Sequence, residues 1–260
     1  MMDQASSELI SVILPVYNSE QSVEASINSV LAQTYRNIEL IIVDDASDDN
    51  THQICRALSS NDRRIIIITN KDNCGALGSR YKAVNVARGE WIAFIDADDL
   101  WHPEKLEKQL RLRDSKKSCD LVFTASAFID AAGNKYDWIL HVPGEVSYRR
   151  LLKQNIISNS SVLMRKEDYN RYAPLEAVHS DIHEDYACWL RMLRDGLTAC
   201  GIDEPLLTYR VSRSSRAGNK MKAAVMNMHT YRYVGLSLPA RIFYEACYAV
   251  NGLLKYRHFA

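Results

Sequence analysis

The chain predicts an α/β fold built on a mostly parallel, doubly wound central sheet. Three observations carry this expectation. Short apolar runs alternate with stretches of helical spacing through the first hundred residues. Runs such as residues 38–43 (IELIIV) are apolar almost without a break, as strands covered on both faces are. Acidic residues gather just after these runs, where the strand ends of an open α/β sheet bind ligands.

Taken in order, residues 9–16 read as a strand. Residues 22–33 read as a helix, with Val23, Ile27, Val30 and Leu31 at helical spacing. A second strand over 38–43 is followed by a helix over 48–58 with a polar start. A third strand over 64–69 leads to a helix over 76–87, and a fourth strand covers 91–95. Past Asp99 the rhythm changes. Pro103 can open a helix over 104–113, supported by the i,i+4 pairs Glu104/Lys108 and Glu107/Arg111. Residues 121–129 read as a strand, Ala131-Ala132-Gly133-Asn134 as a turn, and 135–142 as its returning partner. A short helix over 148–154 and a short strand over 161–164 follow. Residues 184–194 form a helix with Tyr186, Leu190 and Leu193 on one face, 206–211 a strand, and 220–233 and 239–254 two closing helices. There is no internal repeat and no low-complexity segment.

Composition bounds the function. The 260 residues are 47% hydrophobic and 25% charged, ordinary for a soluble globular protein. No run of eighteen apolar residues predicts a membrane-spanning helix. Residues 1–8 lack the basic and apolar regions of a signal peptide, so none is expected. The six cysteines are scattered without a CxxC pair, which argues against a zinc site or a disulfide framework and fits a reducing cytoplasm. The net charge of zero hides an asymmetry: from Arg210 onward, nine Lys/Arg stand against the single acid Glu245. A basic tail of this kind suits a membrane surface or a diphosphate, and it is equally what solvated helix faces present. No helix-turn-helix, zinc finger or RNP-type pattern accompanies it, so no nucleic-acid partner is expected.

Three loops should meet at one sheet edge. Trp91-Ile92-Ala93-Phe94-Ile95 runs into Asp96-Ala97-Asp98-Asp99, and like charges that close persist when a cation or a hydrogen-bond donor satisfies them. Asp96 and Asp98, two apart, point to one side in extended backbone. Their hard oxygen atoms favour Mg²⁺ or Mn²⁺ with phosphate oxygens completing the shell. A solvated turn capping the next helix is the competing reading. Asp44 and Asp45 follow the second strand. A carboxylate there can accept the imide N–H of uracil, or it can cap the following segment. Tyr17 follows the first strand, where it can stack on a base or be a half-buried core aromatic.

These loops carry a resemblance. Ser11-Val12-Ile13-Leu14-Pro15-Val16-Tyr17-Asn18, Ile41-Ile42-Val43-Asp44-Asp45-Ala46-Ser47 and Phe94-Ile95-Asp96-Ala97-Asp98-Asp99 together resemble glycosyltransferase family 2. The match continues through Asn73-Cys74-Gly75-Ala76-Leu77-Gly78-Ser79-Arg80 and reaches Glu184-Asp185-Tyr186-Ala187-Cys188-Trp189-Leu190-Arg191. Five motifs in order are far more specific than any one. Within the family, residues 151–157 and 201–205 look most like bacterial surface-polysaccharide transferases of the teichuronic-acid type.

The resemblance implies a GT-A fold: a Rossmann-like, mostly parallel sheet flanked by helices. It divides the chain into a glycosyltransferase domain at 1–212, with a nucleotide-binding half at 1–100 and an acceptor-binding half at 101–212, and a basic helical extension at 213–260. It implies an inverting enzyme that moves a hexose or N-acetylhexosamine from a UDP-sugar to a saccharide acceptor, lipid-diphosphate-linked in many members. Asp45, with or without Asp44, would bind uracil; Pro15 and Tyr17 would shape the base pocket; Arg80 and Ala97 would lie near the nucleotide. Asp96 would hold the ribose or a metal-bound water, and Asp98 would contact the Mn²⁺ or Mg²⁺ of this DXD motif. Asp185 would be the catalytic base, taking the acceptor's proton. Trp189, one turn on, could stack on an acceptor sugar or belong to the core. Arg210 and Arg213 could clamp a diphosphate or lie in a solvated loop. Glu184 is expected to point away and steady its helix, and His179 and His183 are not expected to ligate metal.

Two departures stand out. Ala46 occupies a position where glycine is common in the family, so its backbone is expected to avoid positive φ. Tyr81 follows Arg80 where many members have Asn. The protein is expected in the cytoplasm or at the inner membrane face, with the basic tail and Leu236, Leu238, Ile242, Phe243, Tyr244 and Tyr248 resting on anionic lipid. A sugar nucleotidylyltransferase is the rival enzyme, although no glycine-rich loop follows the first strand. Two further rivals are a response-regulator receiver, suggested by Asp44-Asp45 alone, and a catalytically inactive nucleotide-sugar-binding protein.

Overall fold

The structure, a computed structural model, describes residues 8–116, 118–177, 181–211 and 220–256. Its elements in chain order are β1 (Ile10–Val16), α1 (Val23–Leu31), β2 (Ile38–Asp44), α2 (Thr51–Asn61), β3 (Ile65–Thr69), α3 (Gly75–Val86), β4 (Trp91–Phe94), β5 (Leu100–Trp101), α4 (Lys105–Ser115), β6 (Leu121–Ile129), β7 (Lys135–Leu140), β8 (Glu145–Val146), α5 (Tyr148–Lys153), β9 (Leu163–Arg165), α6 (Lys166–Tyr172), α7 (Glu184–Arg194), β10 (Ala199–Arg210), α8 (Lys220–Tyr233) and α9 (Leu238–Tyr256).

The strands form a sheet in the order β3-β2-β1-β4-β9-β6-β10-β5, with β7 beside β6 and β8 beside β10. β1 pairs in parallel with β2 and β4, and β2 with β3. β9 is inserted antiparallel between β4 and β6. Alternation along the strands sends side chains to both faces. Ile13, Ile41 and Phe94 join one core with α3 and α7; Val12, Leu14, Leu40, Ile42 and Ala93 join the other with α1, α2 and α4. That two-sided burial is why the central strands read as unbroken apolar runs.

The first four strands and three helices lie within a few residues of their expected places. The later half departs more. β10 starts at Ala199, seven residues before its expected beginning, because two register irregularities around Pro205 let Asp203, Glu204 and Pro205 sit in a strand paired to β6. α6 has no counterpart in the expectation. It is short and polar, with Glu167 and Asp168 in its first turn, and its hold on the body is the buried pair Tyr169 and Tyr172. The closing helices pack onto the body: Tyr231, fully buried on α8, donates to the Leu152 carbonyl at 2.8 Å, and Asn251 on α9 donates to the Lys153 carbonyl at 3.2 Å. Among the described residues, no helix is long and apolar enough to cross a membrane.

Candidate active site

β1, β2 and β4 run the same way, so their carboxyl ends open onto one edge of the sheet. A cleft of about 1030 Å³ lies there, bordered by Pro15, Tyr17, Asp45, Arg80, Asp96, Ala97, Asp98 and Asp185 among others. The structure therefore brings together eight of the residues singled out by sequence. The loops after β1 and β2 are tied to each other: the Asn18 amide donates to Ser47 Oγ at 3.1 Å, and Asn18 Oδ1 accepts from the Asp48 amide at 2.9 Å. Tyr17 is 47% exposed at the mouth, which rules out the core reading and leaves its ring face open to a planar partner.

The two aspartates after β2 part company. Asp45 lies on the cleft, buried, and accepts from Asn70 Nδ2 at 2.6 Å and from the amides of Cys74 at 2.9 Å and Gly75 at 2.8 Å. Burial works against its charge, but the Cys74 amide, Asn70 and the neighbouring thiol and hydroxyl outweigh it and lower its pKa. Asp44 does not border the cleft. Its Oδ2 lies 2.9 Å from His52 Nδ1, and its Oδ1 accepts from the Ser47 amide at 3.1 Å. The expectation of a second uracil ligand is thus corrected: Asp44 faces α2 and braces the loop.

Ala46 corrects a second expectation. Its φ is +62°, in the region an alanine avoids, and Asn18 sits at +46°. The strain is held by bonds on both sides, from the Asp45 amide to the Val16 carbonyl at 2.9 Å and from the Ser47 amide to Asp44.

Arg80 is the hub. Its guanidinium donates to Asp96 Oδ1 at 2.7 Å and to Glu184 Oε1 at 3.1 Å, with only 8% of the side chain exposed. Burial opposes its charge, but Asp96 and Glu184 outweigh burial and raise its pKa. Glu184 therefore does not point away as expected. Helix α7 begins with its first turn against the cleft, and Glu184 closes a bridge from α7 through α3 to the loop after β4. Asp96 is also steadied by a short 3-10 turn at Asn159–Ser161, since its amide donates to Ser160 Oγ at 3.0 Å. Ser160 escapes the sequence motifs. Its only trace is a polar run, residues 158–161, among apolar neighbours.

The acidic loop is held in an electrostatically loaded state. Burial, then the charge of Asp96, raises the Asp98 pKa. Burial, then Asp96 and Asp98, raises that of Asp99 well above the carboxylate range. Asp99 Oδ1 accepts from the Arg210 amide at 3.1 Å, and Ser160 also hydrogen-bonds this buried carboxyl. The Asp96 and Asp98 carboxylates that border the cleft are hard donors whose crowding a divalent cation would relieve, so they fit Mg²⁺ or Mn²⁺. Among the described residues no three His, Cys, Asp or Glu side chains cluster as a complete ligand set, so phosphate oxygens would have to supply part of the shell.

Asp185 stands in the first turn of α7 on the cleft. Burial and the Glu184 charge raise its pKa against the pull of His183 and Arg80. Trp189 is a correction. It shares a helix face with Asp185 but lies one turn deeper, 1% exposed, so it belongs to the core and presents no open ring face to the cleft. Arg210 is another. It donates to the carbonyls of Asp98 at 3.1 Å and Asp130 at 3.2 Å, so its guanidinium braces the acidic loop and does not border the cleft. Arg213 and His179 lie outside the described residues.

Known proteins resemble this chain in sequence and in fold. The model of the family described as glycosyl transferase family 2 matches residues 11–172. The chain is 36% identical over 226 residues, 87% of its length and 88% of the relative's, to a candidate teichuronic acid biosynthesis glycosyltransferase, TuaG, of Bacillus subtilis (strain 168). It is 33% identical over 249 residues, 96% of each chain, to the UDP-Glc:alpha-D-GlcNAc-diphosphoundecaprenol beta-1,3-glucosyltransferase WfaP of Escherichia coli. Its fold is similar to that of S. aureus TarS 1-349 solved in complex with UDP-GlcNAc, with a TM-score of 0.68 at 20% identity, covering 89% of this chain and 69% of that one.

Proposed function

The chain belongs to glycosyltransferase family 2, and on that premise we propose that it transfers a hexose or N-acetylhexosamine from a UDP-sugar to a saccharide hydroxyl, with inversion, in bacterial surface-polysaccharide assembly. One observation carries the reading: Asp45, Asp96, Asp98 and Asp185 border a single cleft, and Arg80 ties the acidic loop to the helix that bears Asp185. Family membership sets aside the nucleotidylyltransferase and the receiver.

In this reading uracil sits against Asp45, with Tyr17 stacked on it and Pro15 shaping the loop. Asp96 and the backbone at Ala97 face the ribose and diphosphate, and Arg80 holds the Asp96 carboxylate in place. Asp98 would hold a divalent cation on the diphosphate, whose chemistry when bound is to neutralise charge on departing UDP. Asp185 takes the proton of the acceptor hydroxyl as its oxygen bonds to the anomeric carbon. The anomeric carbon–oxygen bond to UDP breaks, and its electron pair leaves with the diphosphate. One base opposite the leaving group gives inversion. By analogy with the glucosyltransferase relative, the acceptor is a lipid-diphosphate-linked saccharide reached from the cytoplasmic membrane face.

UDP release from a panel of UDP-sugars with Mn²⁺, with and without EDTA, tests the reading. Release should require the metal and fall at least ~100-fold in Asp98→Ala and Asp185→Ala. Silence across the panel together with no UDP binding by calorimetry would overturn it, and UDP binding without turnover would mean that the missing ingredient is the acceptor.

A further inference from the structure

The far wall of the cleft is built by residues that none of the family motifs includes. α8 and α9 contribute Ala224, Asn227, Glu245, Tyr248, Ala249 and Gly252. Two oxygen atoms here lack a partner among the described residues, Asn227 Oδ1 and Glu245 Oε2, and Asn227 is only 2% exposed. The Asn227 amide hydrogen-bonds Glu245 across the two helices, which leaves both unmatched oxygens as acceptors. Native proteins tolerate few such buried atoms without a functional reason.

Both helices are pinned next to Asp185. The His183 amide donates to Thr230 Oγ1 at 3.0 Å, and Thr230 lies one turn from Asn227 on the same face of α8. The Tyr186 ring stands 6.3 Å from that of Tyr248, which lies one turn from Glu245 on α9. The small side chains at 224, 249 and 252 leave room in front of these groups, and a Cβ added to Gly252 would meet nothing within 4 Å.

We propose that Asn227 and Glu245 form the subsite for the acceptor sugar ring, taking hydrogen bonds from its hydroxyl or acetamido N–H groups while the attacking hydroxyl faces Asp185. Two acceptors call for a ligand rich in donors, and a carboxylate repels a diphosphate, so the sugar and not its lipid-diphosphate sits here. The proposal rests on the glycosyltransferase reading above and specifies where its second substrate binds.

Saturation-transfer NMR with saturating UDP tests it, using methyl α-glycosides of GlcNAc, GalNAc, glucose and galactose as probes. The wild type should saturate at least one glycoside. Asn227→Leu and Glu245→Leu should each weaken that signal at least fivefold, and Glu245→Gln, which keeps an oxygen acceptor, should retain most of it. Gly252→Phe, placed in open space on a helix that gains from losing glycine, should abolish it while the protein stays folded by circular dichroism. UDP signals should persist throughout. Glycoside signals that are absent in the wild type, unchanged in these variants, or lost only together with UDP binding would overturn the proposal. UDP and glycoside resonances are read separately, so a missing UDP signal in the wild type overturns the donor reading, while the subsite stands or falls on the glycosides.

Discussion

Ala46 carries a cost that its neighbours absorb. A left-handed alanine is disfavoured by about 1–2 kcal/mol, and glycine would remove that term while adding unfolded-state entropy of about 0.4–1 kcal/mol. Ala46→Gly should therefore raise the thermal midpoint slightly, and Ala46→Val should lower it; a lower midpoint for the glycine variant would contradict the strain. The acidic loop makes a second residue-scale prediction. Asp99 binds its proton more tightly folded than unfolded, so its contribution to stability is present below the ordinary carboxylate pKa of about 3.9 and is lost as pH rises through the raised folded value. Asp99→Asn cannot lose that proton. In metal-free buffer the variant should gain on the wild type as pH rises from acid toward neutrality, read as the difference between their urea midpoints. A pH-independent difference would mean the Asp99 carboxyl is not strained. Asp45 has the opposite sign: its lowered pKa contributes stability above the ordinary value that is lost on acidification.

At the scale of elements, the second half of the sheet depends on close backbone approach. A Cβ on Gly201 of β10 would lie 2.2 Å from the Pro143 carbonyl oxygen, and the Gly201 amide donates to the Gly144 carbonyl at 3.1 Å. Gly201→Ala must push that loop away and should cost about 1–3 kcal/mol in urea denaturation, with UDP affinity unchanged because the position is remote from the cleft. A neutral effect would show that the loop yields freely. The same element shows where local pattern misleads. The strand expected to open at residue 206 in fact begins at Ala199, because the irregular register allows β10 to pass through Asp203-Glu204-Pro205. Long-range pairing to β6 decides that stretch, and no local propensity reports it. The opposite holds for β1, β2 and β4. Burial on both faces writes an apolar run into each, so they are legible directly.

Across the whole molecule, the closing helices serve both the core and the surface. Tyr231 and Tyr186 meet inside, while Leu238, Ile242, Phe243 and Val250 of α9 are each more than half exposed along one side. Leu236, Tyr244 and Tyr248, expected among the lipid-facing residues, instead pack partly buried against the core. With the surplus of basic residues after Arg210, the exposed stripe suits an anionic bilayer surface. The 260-residue chain should co-float with vesicles containing anionic lipid, less so at high salt, and Ile242→Ser with Phe243→Ser should reduce flotation several-fold. Equal partitioning of both proteins at every salt concentration would contradict this orientation. Substitution is the sound test, because truncation after residue 215 would remove Tyr231 from the core.

The alternating architecture, the three acidic or aromatic strand-end loops and the family are legible in the order of amino acids alone, because strand burial and loop chemistry are local and leave periodic or contiguous traces. Packing in three dimensions settles which of two adjacent aspartates faces the cleft, that Glu184 pairs with Arg80, that Trp189 lies in the core, and that α8 and α9 wall the site. Each of these depends on the direction of a side chain relative to an element far away in the chain. Asp44 and Asp45 are chemically identical and point opposite ways only because the strand is pleated. Glu184 reaches Arg80 across 104 residues because packing sets α7 against α3's end of the sheet.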